Sequence, residues 1–137
     1  MTDTVAERHE MRIDTEDDIA LVRQKVRDMA RACRFDVFTT AAVTTAASEL
    51  ARNVWVHAKK GGVIIERFDE PRAGVRVEFM DEGPGIANIE RVMAGGYSTA
   101  NSMGLGLSGS KRLVDEFSID SAPGRGTRVK FAKWAPY

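Results

Sequence analysis

The stretch AAVTTAASELARNVWVHAKKGGVIIERF, residues 41–68, decides the fold, because the spacing of its apolar residues changes partway along. Val43, Ala46, Ala47, Leu50, Val54 and Ala58 recur every three or four positions, a stripe along one side of a helix. From Val63 to Phe68 the residues are β-branched or alternate in polarity, the period-two signature of a strand. Gly61-Gly62 between them is read as the stop of the helix.

The pattern extends in both directions. Downstream, Val75 to Met80 alternates again, and Glu70-Pro71-Arg72-Ala73-Gly74 is a turn, so the two runs form a hairpin. Upstream, the long helix starts near Asp36. An earlier helix carries Ile19, Val22, Val26, Met29 and Ala30 to about Arg34, and His9 to Ile13 is a short strand before it. Asp14-Thr15 with Asp18 three residues on is a variant of the capping box at that helix's start. Past the hairpin come the turn Asp81-Glu82-Gly83-Pro84-Gly85 and a short helical piece around Ile89 to Met93. Gly95 to Met103, polar and bounded by glycine, is expected to be a mobile loop. A third helix is expected after Gly104-Leu105-Gly106, ending near Glu116. Phe117 to Ser121 and Thr127 to Trp134 make a second hairpin. The prediction is an α+β two-layer sandwich, a mixed sheet with its helices on one face.

The chain has 137 residues, which predicts one domain over 1–137 and a core large enough to stand without staples. Lys plus Arg and Asp plus Glu are 20 each, so net charge exerts no general pull toward nucleic acid or an anionic membrane, and neither is expected as a partner. With the single cysteine Cys33, a polar N-terminus and no long apolar run, the expectation is a cytoplasmic protein without internal disulfides.

Four short segments carry chemistry. In Ser48-Glu49-Leu50-Ala51-Arg52-Asn53, Glu49 and Asn53 are four apart, on the same side of the long helix and at the edge of its apolar stripe. A carboxamide oxygen is a hard ligand suited to Mg²⁺, and a carboxylate beside it can orient or deprotonate a hydroxyl. Alone, that spacing also describes two solvated residues. Asp81 closes a strand, and the glycines after it let backbone approach a planar ring, although D-E-G-P-G is equally a good turn. Gly104 to Gly109 is a literal G-x-G-x-x-G, but Tyr97 to Met103 before it is no strand, so a dinucleotide-binding assignment fails on context. A glycine-rich approach to a helix N-terminus remains an anion site. Thr127, in Gly124-Arg125-Gly126-Thr127, has a hydroxyl that could support a base or the Asp81 carboxylate. His9 and His57 have no partners at metal-ligand spacing, and Ser108 and Ser110 have no triad around them.

In order, S-E-L-A-R-N, D-E-G-P-G-I, G-L-G-L-S-G and G-R-G-T resemble the N, G1, G2 and G3 boxes of the GHKL ATPase/kinase superfamily, with its Bergerat-type ATP-binding fold. The segments T-T-A-A-S-E-L-A-R-N-V, G-Y-S-T and K-R-L-V-D-E-F-S-I-D-S resemble its anti-sigma-type serine kinases, in particular the stressosome switch-kinase branch. The resemblance implies ATP and Mg²⁺ as cofactors, Asn53 holding the metal, Glu49 as the catalytic carboxylate and Asp81 taking the adenine amino group. Gly83, Gly85, Gly104, Gly106 and Gly109, with Leu105 and Leu107 between them, would supply contacts to the nucleotide. Lys111 and Thr127 would complete the site. It further implies phosphorylation of STAS-domain scaffold or antagonist proteins and activation of a PP2C-type phosphatase, or alternatively sequestration of a sigma factor.

Overall fold

Alternation along β1 (Val5–Ile13) turns His9, Met11 and Ile13 to one face of a sheet and Arg8, Glu10 and Arg12 to the other. The computed structural model describes residues 4–94 and 103–136. After β1 come α1 (Asp18–Ala32), α2 (Val37–Ala58), the hairpin β2 (Gly61–Phe68) and β3 (Gly74–Asp81), α3 (Ile89–Met93), α4 (Met103–Leu113), and the hairpin β4 (Glu116–Ser121) and β5 (Thr127–Trp134). The strand order is β1-β2-β3-β5-β4.

Each of the four strand pairings is antiparallel, which corrects the mixed sheet expected from sequence. The reason is in the connections. β1 and β2 are joined through two helices, one running back and one forward, and a pair of helices delivers the chain antiparallel where a single crossover helix would make it parallel. The other direct links, β2 to β3 and β4 to β5, are hairpins.

The core lies between the sheet and the helices. Val63, Ile65, Val77, Phe79 and Phe131 face Ile19, Val22, Val26, Val43, Ala46 and Leu50, all buried. Phe79 and Phe131 sit on neighbouring strands with ring centroids 6.5 Å apart, a contact that adds about 0.5–1.5 kcal/mol to the area they bury. The opposite face is laced by charge across the strands: Glu66 lies opposite both Arg8 and Arg76 and pairs with them at 3.8 and 2.8 Å.

Helix ends follow the side chains available. The Asp18 carboxylate accepts from the Asp14 and Thr15 backbone N–H groups at 2.9 and 3.0 Å, the reach-back half of the expected capping box. Asp36 caps α2 by accepting from Thr39 N–H at 2.7 Å. The stop of α2 differs from expectation. Lys59 takes the left-handed conformation (φ 68°) and its N–H closes on the Val54 and Trp55 carbonyls, so the helix ends before the glycines. Gly61-Gly62 opens β2 instead. A Cβ on Gly61 would stand 2.5 Å from the Met80 carbonyl oxygen and 2.7 Å from Val54, so glycine is needed for the close approach of α2 to β3.

The third helix is also corrected. α4 begins at Met103, so Gly104, Leu105 and Gly106 lie in its first turns rather than in a loop before it. Glycine disfavours helix by about 1 kcal/mol relative to alanine, and packing overrides that propensity here. The mobile loop expected at 95–103 lies, up to residue 102, outside the described residues.

Candidate functional site

The helical period carries Leu50, Asn53, Val54 and His57 to the sheet-facing edge of α2, at one wall of a pocket. The ends of β3 and β5 supply Phe79, Asp81, Thr127 and Val129, the turn after β3 supplies Pro84, Gly85 and Ile86, and α4 supplies Leu107. Five sequence-predicted residues therefore surround one pocket: Asn53, Asp81, Gly85, Leu107 and Thr127. Mostly apolar walls with a few polar groups converging are what a small-molecule site offers.

Asp81 is the last residue of β3, opposite Thr127, the first of β5. Its Oδ1 accepts from Gly83 N–H at 2.9 Å. Burial raises its pKa above the ordinary carboxylate value, against the pull of the Gly83 and Thr127 backbone N–H groups and of His57. Burial likewise lowers the pKa of His57, which Asp81 opposes and Lys59 reinforces. The result is a desolvated hydrogen-bond acceptor at one end of an apolar pocket, with a neutral-leaning imidazole near it.

Two orphaned atoms point to a missing partner. Among the described residues, Asn53 Nδ2 and His57 Nε2 are buried without a hydrogen-bond partner, and both residues line the pocket. Leaving such a group unpaired costs about 1–3 kcal/mol, which a polar ligand would recover. Gly106 presses on the same carboxamide, since a Cβ there would lie 3.2 Å from Asn53 Nδ2 and 3.3 Å from Oδ1. Along Gly109 there is open space.

The turn that shapes the pocket is held by Ser121. Its hydroxyl donates to the Gly126 carbonyl at 2.7 Å and accepts from Ile86 N–H at 2.9 Å. With that proton engaged, the 2.9 Å contact between Ser121 and Thr127 has Thr127 as donor. Of the two supports expected of Thr127, for the base or for the Asp81 carboxylate, the structure shows its backbone N–H toward Asp81 and its hydroxyl toward Ser121. Gly85 and Gly126 have φ of 77° and 79°, and a side chain on either would run into the Ala122 or Asp81 carbonyl oxygen, so both must be glycine. Gly83 stands against Ala58, with space for a Cβ only 2.8 Å from it.

Other predicted residues are placed by their elements. Glu49 is half-buried one turn before Asn53 on α2. Gly104 and Leu105 are in the first turn of α4. Lys111, expected just inside the third helix, falls in the last turn of α4 and is exposed, because the helix starts earlier than its glycines suggested. Eight residues from Met103 place it about 12 Å along the axis. Sequence reasoning missed His57 and Ser121. His57 is one turn beyond Asn53 on the same side of α2, a spacing that could have flagged it; nothing in the sequence singles out Ser121.

Comparison with known proteins places this geometry in context. Residues 13–133 match the family model described as the histidine kinase-like ATPase domain. The chain is 45% identical over 125 residues to the serine/threonine-protein kinase RsbT of Bacillus subtilis, covering 90% of this chain and 94% of that one. It is 32% identical over 97 residues to the anti-sigma F factor of Caldanaerobacter subterraneus, covering 67% and 68%. Two solved structures share the fold at low identity: the histidine kinase domain of the Erythrobacter litoralis EL346 blue-light activated histidine kinase (TM-score 0.51, 17% identity, 84% of this chain) and full-length ShkA in complex with AMPPNP (TM-score 0.55, 16% identity, 98% of this chain). The chain spans 59% and 33% of those two proteins, respectively. The match across nearly the whole sheet and helix layer, with the pocket at its centre, means that this chain belongs to the histidine kinase-like ATPase domain family.

Proposed function

We propose that this chain is an ATP-dependent serine/threonine protein kinase built as one catalytic domain over residues 1–137. The observation that carries the proposal is Asn53, one turn from Glu49 on the wall of the pocket that ends at Asp81, its buried Nδ2 left without a hydrogen bond among the described residues. The identity with a relative named as a serine/threonine-protein kinase supports the same reading.

The residues fit a purine nucleotide and its Mg²⁺: a desolvated acceptor for the adenine amino group, apolar walls for the ring and, in Asn53, a carboxamide whose oxygen would take the metal while its buried Nδ2 would donate to a phosphate or water oxygen. When bound, Mg·ATP supplies the γ-phosphoryl group and neutralises its charge. The chain's part is to position. Asp81 reads the base, Gly83 and Gly85 let backbone approach it, and the Ser121–Thr127 pair fixes the turn behind it. Asn53 holds the metal's place on α2. Glu49, on the same side of the helix, orients the acceptor hydroxyl and takes its proton. The α4 backbone from Gly104 through Leu105, Gly106 and Leu107 to Gly109 would supply the N–H groups that hold the phosphates. Lys111, exposed at the far end of α4, is not given a phosphate role.

We further propose that the acceptors are STAS-domain scaffold or antagonist proteins of a bacterial partner-switching pathway in the cytoplasm, and that the released kinase activates a PP2C-type phosphatase. Among the described residues, no helix is long and apolar enough to cross a membrane. The identity with an anti-sigma F factor favours one alternative, a chain that also binds a sigma factor.

The test is labelled Mg·ATP incubated with the chain and a STAS-domain protein. Acid-stable label on serine or threonine is expected. Glu49→Gln should abolish it while a nucleotide titration stays unchanged. Saturable ATP binding without transfer to any STAS protein, together with stable capture of a sigma factor, would favour the alternative. No saturable ATP binding would end both.

A further inference from the structure

A groove far from the pocket runs between α1 and α2, and its lining is unlike the rest of the surface. Arg27 and Arg31 stand on its α1 side, four residues apart and therefore about 6 Å along one helix face. Both are exposed, and neither has an acidic partner among the described residues; no acidic side chain lines the groove. In a chain whose Lys plus Arg and Asp plus Glu are 20 each, that local excess of positive charge is unbalanced.

The α2 side is more apolar than its sequence suggests. Thr40 donates its hydroxyl to the Phe35 carbonyl at 3.3 Å and Thr44 to the Thr40 carbonyl at 2.6 Å. With those protons tied back to the helix, the threonines offer mainly methyl surface beside Ala41. At the rim, Val37 is 80% exposed and Phe38 84% exposed. Together with the apolar groove beside them, these two exposed residues give a partner apolar surface to cover.

We propose that the α1–α2 groove, with Val37 and Phe38 at its rim, is the docking surface for an acidic amphipathic helix of a partner protein. The groove is bounded by two helices, and along its α2 side Thr40, Ala41, Thr44 and Thr45 are small enough to let a third helix approach. Carboxylates four residues apart on that helix meet Arg27 and Arg31, and its apolar face covers the threonine methyls and Phe38. The partner's charge follows from the arginines, unpaired among the described residues, and its helical form from the groove between two helices.

The surface also leads to the proposed chemistry. Phe38 and Glu49 are eleven residues apart, close to three whole turns, so they fall on nearly one line of α2 about 16 Å apart. Exposed Val56 continues that line. A protein held at Phe38 could extend along that line three turns to Glu49, which makes this the docking site of the protein that brings the acceptor hydroxyl. That link rests on the kinase reading; the docking itself does not.

The experiment uses two labelled synthetic peptides of the same amphipathic helix, one with glutamates at i and i+4 and one with lysines there, followed by fluorescence anisotropy against the full chain. The acidic peptide should bind saturably and the basic one at least about tenfold more weakly. The double variant Arg27→Glu/Arg31→Glu should reverse that preference, which a misfolded variant cannot do. Phe38→Ser should weaken the acidic peptide about tenfold or more without changing nucleotide affinity. Equal binding of both peptides, binding of neither, or no reversal in the double variant would overturn the proposal. So would sedimentation showing a dimer that Phe38→Ser dissolves, which would assign the face to a second copy of the chain. Failure of the wild-type chain to bind ATP would remove the kinase reading and leave the peptide result standing.

Discussion

Replacing Asp81 by asparagine separates the carboxylate's part in the fold from its part in recognition. Gly83 N–H holds Asp81 Oδ1 at 2.9 Å, and an asparagine can keep its own oxygen there. Its NH₂ group is then turned toward the base, so an adenine amino group meets a donor where it had an acceptor. The loss is that of a hydrogen bond to a charged group, about 1.5–3 kcal/mol, or about 10- to 150-fold in affinity. Guanine presents an oxygen at the corresponding position, so the same change should narrow the preference for ATP over GTP. The fold should not suffer. Because burial raises the Asp81 pKa, the folded state favours its protonated form, and the associated stability is present below the unfolded value of 3.8 and lost as pH rises through the folded one. Asp81→Asn removes that loss, so its melting temperature should match or exceed wild type at neutral pH. The assay is calorimetric titration with ATP and GTP alongside thermal melts from pH 4 to 8. An unchanged ATP affinity in a variant that melts like wild type would refute the assignment of Asp81 to the base.

Three further outcomes follow from the same geometry. Asn53→Ala should lower phosphoryl transfer by about 10²–10³-fold or more while its thermal melt stays near wild type, since it also removes an unpaired buried group; transfer assays with labelled ATP check this. Gly85→Ala should cost about 2 kcal/mol or more in a urea melt, because φ of 77° disfavours a side chain and the new methyl would run into the Ala122 carbonyl. His57, whose pKa is lowered first by burial, contributes stability that is present above its unfolded value of 6.5 and lost as pH falls through the folded one. His57→Gln should therefore flatten the decline of melting temperature between pH 7 and pH 5, and a variant that declines as steeply as wild type would show that another group causes it.

Periodicity alone located most of the fold, and its failures have identifiable causes. β5 was expected at Thr127 to Trp134 and lies there, because a flanking glycine turn and steady alternation leave little freedom. Periodicity starts β1 at His9, yet pairing with β2 extends it back to Val5: an edge strand of alternating charge looks like a solvated tail until its partner is known. Gly104 to Gly106 looked like a loop because glycine opposes helix, and only the contact of Gly106 with Asn53 shows why small residues suit that helix turn. The end of α2 went to Lys59 over a nearby glycine pair. Its ammonium lies 5.1 Å from the ring centroid of Trp55, four residues back, a local contact that a rule looking only for a terminating glycine passes over. In the site, Asn53 and Asp81 were legible because their positions on a stripe edge and a strand end were. Ser121 was not, since its role depends on where Ile86 and Gly126 arrive in space.

Asp81 and Thr127 are the terminal rung of the β3–β5 ladder, and Ser121 opposite Thr127 is the terminal rung of the next. A slip of one residue in the last hairpin would turn Thr127 to the opposite face and part it from both neighbours, although most of the sheet would still form. The pocket thus doubles as a gauge of correct strand alignment. Chains that misalign would keep their helices and their circular dichroism yet gain no thermal protection from added nucleotide, so ligand-induced stabilisation should separate properly zipped molecules from near-native impostors.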